Sequence, residues 1–156
     1  MKVACVVLAA GLASRFGSSK QLAELSSKTL LQNSLDIANG SQADYVFLIL
    51  GSGASEIMER LKTGRSIVVL NKDYKEGLAS SIRSAILNLP DDCGAVAFMV
   101  ADQPFLTSKR INNLIQKLVK NRKAKLAAFA FDGEPRNPAI FSNAKRCTRS
   151  LGKVLV

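Results

Sequence analysis

Val3-Ala4-Cys5-Val6-Val7-Leu8-Ala9-Ala10-Gly11-Leu12-Ala13-Ser14-Arg15-Phe16-Gly17-Ser18-Ser19-Lys20 stands almost at the start of the chain, and its first half decides the fold. Val3 to Leu8 is an unbroken apolar run of strand length, lacking the polar alternation of a half-exposed strand. Such a run belongs in the middle of a parallel sheet covered on both faces. Gly11 and Gly17 then let the backbone turn tightly and bring N–H groups close to an anion, while Arg15 and Lys20 add positive charge for phosphate oxygens. A loop leaving a parallel strand sits at the carboxyl edge of the sheet, where ligands of such folds bind. The expected ligand is a nucleoside triphosphate.

Two common phosphate loops are excluded. A P-loop needs Lys-Ser/Thr directly after its second glycine, and here Ser18 and Ser19 separate Gly17 from Lys20; no G-x-G-x-x-G follows the first strand. A secretory signal is a poor reading too, because the apolar run is short and Arg15 and Lys20 follow at once.

Composition narrows the chemistry. At 156 residues and 47% apolar content the chain is long enough to bury its own core, and no run approaches a membrane span. Cys5, Cys93 and Cys147 are widely spaced and odd in number, which fits neither a disulfide framework nor a cysteine metal site and suggests a reducing cytoplasm. There is no histidine, so Ser/His/Asp and Cys/His catalysis and histidine-bound zinc are absent. Phosphoryl-type transfer survives, since it rests on positioning and on a carboxylate-held metal. The net charge of +10 is uneven: residues 1–108 balance, whereas residues 109–156 hold twelve Lys/Arg against Asp132 and Glu134. A footprint for nucleic acid or another large anion is one reading. A solvated helix face is the preferred one, because no aromatics interleave for stacking.

Strand and helix patterns alternate along the chain. Leu30, Leu31, Leu35 and Ala38 predict a helix, Tyr45 to Leu50 a strand closed by Gly51, Ile57, Met58 and Leu61 a short helix, and Ile67 to Leu70 a third strand. Leu78, Ile82, Ala85, Ile86 and Leu89 recur at helical spacing before Pro90, and Ala95 to Val100 is a fourth strand. Thr107 or Ser108 caps a helix with Ile111, Leu114, Ile115, Leu118 and Val119 on one stripe, and Leu126 to Ala130 is a fifth strand. This alternation predicts an α/β fold with a mostly parallel sheet and right-handed crossovers.

Three further segments carry polar groups to that edge. Asp102, in Ala101-Asp102-Gln103-Pro104, follows the fourth strand; it is a candidate ligand for a hard cation, or a turn or capping residue. Asn71 follows the third strand, and Gly77, Ser80 and Ser81 open the next helix, as an anion site or as a plain helix start. Arg136-Asn137-Pro138 is a polar turn running into an apolar strand and says little alone.

In order and approximate spacing these four segments resemble the MobA-like nucleotidyltransferases, particularly the molybdenum cofactor cytidylyltransferases, and the resemblance covers nearly the whole chain. It implies a Rossmann-like three-layer fold of the nucleotide-diphospho-sugar transferase type, with residues 1–156 as a single nucleotidyltransferase domain. It implies transfer of a nucleoside monophosphate from an NTP to a terminal phosphate of molybdopterin cofactor, with release of pyrophosphate. Leu8, Ala9, Ala10, Gly11 and Gly17 would hold base and phosphates, Arg15 and Lys20 would neutralise charge in catalysis, and Asp102 would hold Mg²⁺. Asn71, Gly77, Ser80, Ser81 and Asn137 would form the acceptor side. Guanylyl-transferring relatives look like Leu-Ala-Gly-Gly where this chain has Leu8-Ala9-Ala10-Gly11, so CTP is expected over GTP. A molybdoenzyme or its chaperone is the implied partner, with no role for nucleic acid or membrane. One departure stands out: the resemblance implies a second acidic, metal-binding segment some tens of residues further on, and nothing after Glu134 is acidic. Two alternatives therefore stay open, a related enzyme with a sugar phosphate or alcohol phosphate acceptor, and a shortened nucleotide-binding protein without turnover.

Overall fold

The opening apolar run forms β1 (Lys2–Ala9), in which every residue after Lys2 is buried. A computed structural model describes residues 1–11, 24–25, 28–103 and 105–143. After β1 come a two-stranded ribbon, β2 (Glu24–Leu25) and β3 (Lys28–Thr29), then α1 (Leu30–Asn39), β4 (Tyr45–Leu50), α2 (Ala54–Arg60) and β5 (Ile67–Leu70). A single 3₁₀ turn (Tyr74–Glu76) precedes α3 (Leu78–Leu87), β6 (Cys93–Val100), α4 (Ser108–Lys120), β7 (Leu126–Phe131) and β8 (Glu134–Ser142). Side chains start two of the helices. The Thr29 hydroxyl accepts from the Gln32 N–H at 3.0 Å, and the Thr107 hydroxyl accepts from the Arg110 N–H at 3.3 Å. Thr107 is thus the cap, which frees the Ser108 hydroxyl to donate to the Ile37 carbonyl and tie α4 to the end of α1.

The main sheet has six strands in the order β5-β4-β1-β6-β8-β7. β5, β4, β1 and β6 are mutually parallel, as the sequence predicts, with β1 in the interior of the sheet. Alternation along β1 then serves two cores. Val3, Cys5, Val7 and Ala9 face a layer built from Leu31 and Leu35 of α1, Ile57 of α2 and Ile111, Leu114 and Leu118 of α4. Ala4, Val6, Leu8 and Ala10 face Ile82, Ala85 and Ile86 of α3. On that second face Phe98 and Phe141 meet edge-on, ring centroids 6.2 Å apart. Helices on both faces of a mostly parallel sheet make the predicted three-layer α/β arrangement.

Three details depart from the sequence patterns. β8 is antiparallel and lies between β6 and β7, so the fifth predicted strand is not the direct neighbour of the fourth. The cause is local: Asp132 and Gly133 both have positive φ, 51° and 80°, and make a tight hairpin turn that sends the chain back along β7. Met58 and Val119 are 44% and 40% exposed, outside the buried stripes of their helices, and Leu61 ends α2 in an extended conformation. Among the described residues no helix is long and apolar enough to cross a membrane. Arg65 fastens the back of the sheet: its guanidinium donates to the carbonyls of Asn39, Ser41 and Ala43 at 2.9–3.0 Å, clamping the α1–β4 turn.

Candidate active site

Parallel pairing decides which residues share an edge. Ala9 lies beside Leu50, Leu50 beside Leu70, and Leu8 beside Val100. The residues that follow, Ala10-Gly11, Gly51, Asn71 and Asp102, therefore emerge together from the carboxyl edge. With neighbouring strands about 4.8 Å apart, Asp102 leaves the strand next to the one that ends at Ala10-Gly11, and Asn71 leaves one two spacings away on the other side.

Leu8, Ala9 and Ala10 are buried to 6% exposure or less, whereas Gly11 is exposed, with open space where a Cβ would stand. The side chains of Leu8 to Ala10 are thus taken up by the two cores, with the Ala10 methyl on the α3 side. A close approach supports this turn: a Cβ on Gly51 would fall 2.8 Å from the Ala10 carbonyl oxygen and 2.6 Å from Cβ of Tyr74. Only glycine allows Tyr74 and Ala10 to flank the end of β4 in this way. Sequence reasoning takes Gly51 for a strand terminator; its packing role depends on Tyr74, distant in sequence. Arg15, Gly17, Lys20 and Pro104 lie outside the described residues, as do Cys147 and the chain beyond Asn143.

Asn71 is buried, and its amide group is fully engaged. Its Nδ2 donates to the Ser80 and Ser81 hydroxyls at 2.8 and 3.1 Å, and its Oδ1 accepts from the Asp73 N–H at 3.0 Å. The Ser80 hydroxyl donates in turn to the Gly77 carbonyl. These groups brace the turn of residues 71–77 from beneath and leave Gly77 on the surface at φ 89°.

Asn137 is brought to the opposite side. The β7–β8 ladder pairs Ala128 with Ala139 but Phe129 with Arg136, so Asn137 and Pro138 bulge out of the ladder, a place where proline's missing N–H costs nothing. The β6 ladder ends at Phe98 with Ala139, and the Gln103 Nε2 donates to the freed Asn137 carbonyl at 2.7 Å. The five predicted acceptor-side residues thus form two groups, Asn71, Gly77, Ser80 and Ser81 by β5 and Asn137 by β8. Four strand spacings, about 19 Å, separate them. Gln103, absent from the sequence-based set, joins the second group; its signal is adjacency to Asp102.

The chemistry of this side is all oxygen. Asp102 is an exposed carboxylate, and the side-chain oxygens of Gln103 and Asn137 are buried without a hydrogen-bond partner. Hard cations such as Mg²⁺ or Mn²⁺ suit a carboxylate backed by amide oxygens when substrate phosphates supply other ligands. Among the described residues no cluster of three or more His, Cys, Asp or Glu forms a self-sufficient metal site. The residues therefore fit a cation delivered with its phosphates.

Comparison with known proteins adds independent information. The family described as MobA-like NTP transferase domain matches residues 5–155. The chain is 26% identical over 148 residues to the bifunctional protein GlmU of Alkaliphilus metalliredigens, covering 94% of this chain and 31% of that one. It is 33% identical over 84 residues to the molybdenum cofactor cytidylyltransferase of Escherichia coli K12, covering 53% of this chain and 43% of the other. The chain therefore spans less than half the length of these curated relatives. Among solved structures, Rv0371c of Mycobacterium tuberculosis H37Rv superposes with a TM-score of 0.79 at 25% identity, over 94% of this chain and 76% of that one. A manganese complex of Rv0371c superposes with a TM-score of 0.75 at 24% identity, over 98% of this chain and 76% of that one.

Proposed function

We propose, from the premise that this chain belongs to the MobA-like NTP transferase family, that it moves a nucleoside monophosphate from an NTP to a phosphate-bearing acceptor and releases pyrophosphate. The observation that carries this reading is the emergence of the Gly11 turn and Asp102 from adjacent parallel strands at one sheet edge. The N–H groups of the Gly11 turn and the cations Arg15 and Lys20 hold the triphosphate. Asp102, with Gln103 and Asn137 behind it, would hold Mg²⁺, which would supply neutralisation of charge on the phosphates. The acceptor's terminal phosphate lies in line with the NTP α-phosphorus, and as an anion it attacks without a protein base. That suits a chain with no histidine.

The acceptor we favour is molybdopterin cofactor, with CTP as donor and a molybdoenzyme or its chaperone as recipient of the product. The sequence likeness to a molybdenum cofactor cytidylyltransferase supports it. Because the Ala10 methyl is buried, base choice works through the backbone position of Ala10 beside Gly51 rather than by methyl contact. Asn137 and Gln103 border the acceptor's reacting end, while Asn71, Ser80 and Ser81 act through the Gly77 turn they support. A sugar phosphate or alcohol phosphate acceptor is the second reading, favoured by the fact that the cytidylyltransferase likeness covers only 53% of this chain.

Pyrophosphate release from CTP and GTP with Mg²⁺, measured with molybdopterin cofactor, with glucose 1-phosphate and without acceptor, decides among these. The expected result is release with CTP and molybdopterin cofactor. Release only with the sugar phosphate moves the assignment to the second reading, and nucleotide binding without release under any pairing overturns the transfer reaction.

A further inference from the structure

Among the described residues, α4 and the turn after it carry the densest run of exposed cations. Lys109, Arg110, Lys117 and Lys120 are exposed on the arc of the helix opposite the buried Ile111, Leu114, Ile115 and Leu118, with only the neutral Asn113 and Gln116 among them. The turn that follows adds exposed Arg122, Lys123 and Lys125, and no Asp or Glu occurs from residue 103 to residue 131. Among the described residues none of these cations forms an ion pair; Lys2, Lys28, Arg60 and Arg83 do, while Lys62, Arg65, Lys72, Lys75 and Arg136 form none either but are spread over other segments instead of one face.

This chain cannot easily supply the missing negative charge. Residues 12–23, 26–27 and 144–156 contain no Asp or Glu. Asp132 and Glu134 flank the β7–β8 turn at the carboxyl edge, whereas Lys120 to Lys125 lie at the opposite edge, where α4 ends and β7 begins; of the acids at that opposite edge, Asp44 accepts from the Val3 N–H and Asp92 pairs with Lys2. The thirteen residues of α4 extend the basic face over about 20 Å. Clustered like charge disfavours the isolated protein and is relieved by a negative surface of similar extent.

We infer that the outer face of α4 and the turn of residues 121–125 dock the acidic surface of a partner protein. A second copy of this chain is disfavoured, since each carries +10. Five of the seven cations are lysines, point charges without the planar fork that arginine offers to phosphate, and no aromatic residue lies among residues 109–125 to stack on a base. A lipid surface would need an apolar flank to insert, and Val119 is the one exposed apolar side chain of α4. The inference stands apart from the nucleotide chemistry, since the face is defined by α4 and not by the site residues.

The test titrates the full chain into fluorescently labelled polyglutamate at low and physiological salt, with duplex DNA and anionic lipid vesicles in parallel. Polyglutamate is expected to bind in a salt-sensitive manner, and the Lys117→Glu/Lys120→Glu/Lys123→Glu variant to bind at least about tenfold more weakly. A control variant, Lys62→Glu/Lys72→Glu/Lys75→Glu, carries the same change in net charge and is expected to bind nearly as the parent does. The Lys117→Gln/Lys120→Gln/Lys123→Gln variant, which introduces no acidic group into the last turn of α4, is likewise expected to bind more weakly than the parent. Equal losses in the α4 and control variants, no saturable binding by the parent, or tighter binding to DNA or vesicles would each overturn the proposal.

Discussion

Cys5 shows what burial does to a single group. It lies in the centre of β1 at 0% exposure, its Sγ 3.5 Å from Sδ of Met99, and burial pushes its pKa from the ordinary 9.0 up to about 12. The folded state keeps the proton at pH values where the unfolded thiol has lost it. The contribution to stability is therefore intact below about pH 9 and falls as pH rises toward 12, by up to about 1.4 kcal/mol per pH unit. Denaturant titrations at pH 8, 10 and 11 are expected to show Cys5→Ala losing less stability with pH than the parent; parallel losses would contradict this. Asp102 was legible as a candidate from its place after an apolar run. The roles of Gly51 and Gln103 were not, because they depend on contacts with Tyr74 and Asn137, which only the folded chain brings near.

At the scale of elements, long-range straps act where propensity is weak. Arg65 sits before the short edge strand β5 and holds three carbonyls of the α1–β4 turn. Arg65→Ala is expected to cost about 1–2 kcal/mol in equilibrium unfolding, and Arg65→Lys to recover only part of it, since one ammonium cannot match the three-way fork. An unchanged unfolding midpoint in both variants would show that the clamp contributes nothing. Hydrophobic periodicity predicted β1, β4 and α4 well because each has a long buried face or a nearly fully buried run, whereas β5 was found from its apolar composition although Ile67 and Leu70 are exposed at the sheet edge. It missed the direction and place of β8. Asp132-Gly133 is a strong hairpin signal, but Pro135 and Pro138 make the next strand look like a turn, and their tolerance depends on the bulge at Asn137. The residues expected on the acceptor side fall into two groups, by β5 and by β8, and that division follows from the sheet order.

For the whole molecule, the strand order β5-β4-β1-β6-β8-β7 matters more than any one motif. It places Gly11 between a braced polar turn on one side and a carboxylate with amide oxygens on the other. The basic face lies outside this arrangement on α4, so partner docking and catalysis are separable. The central claim is that Asp102 beside the Gly11 turn makes this edge a metal-dependent transfer site. Its most direct test is Mg²⁺-dependent pyrophosphate release from CTP with molybdopterin cofactor, compared between the parent chain and Asp102→Ala, with folding checked by thermal unfolding. Release at least about a hundredfold slower in a folded variant is the predicted result; release at the parent rate would contradict the account.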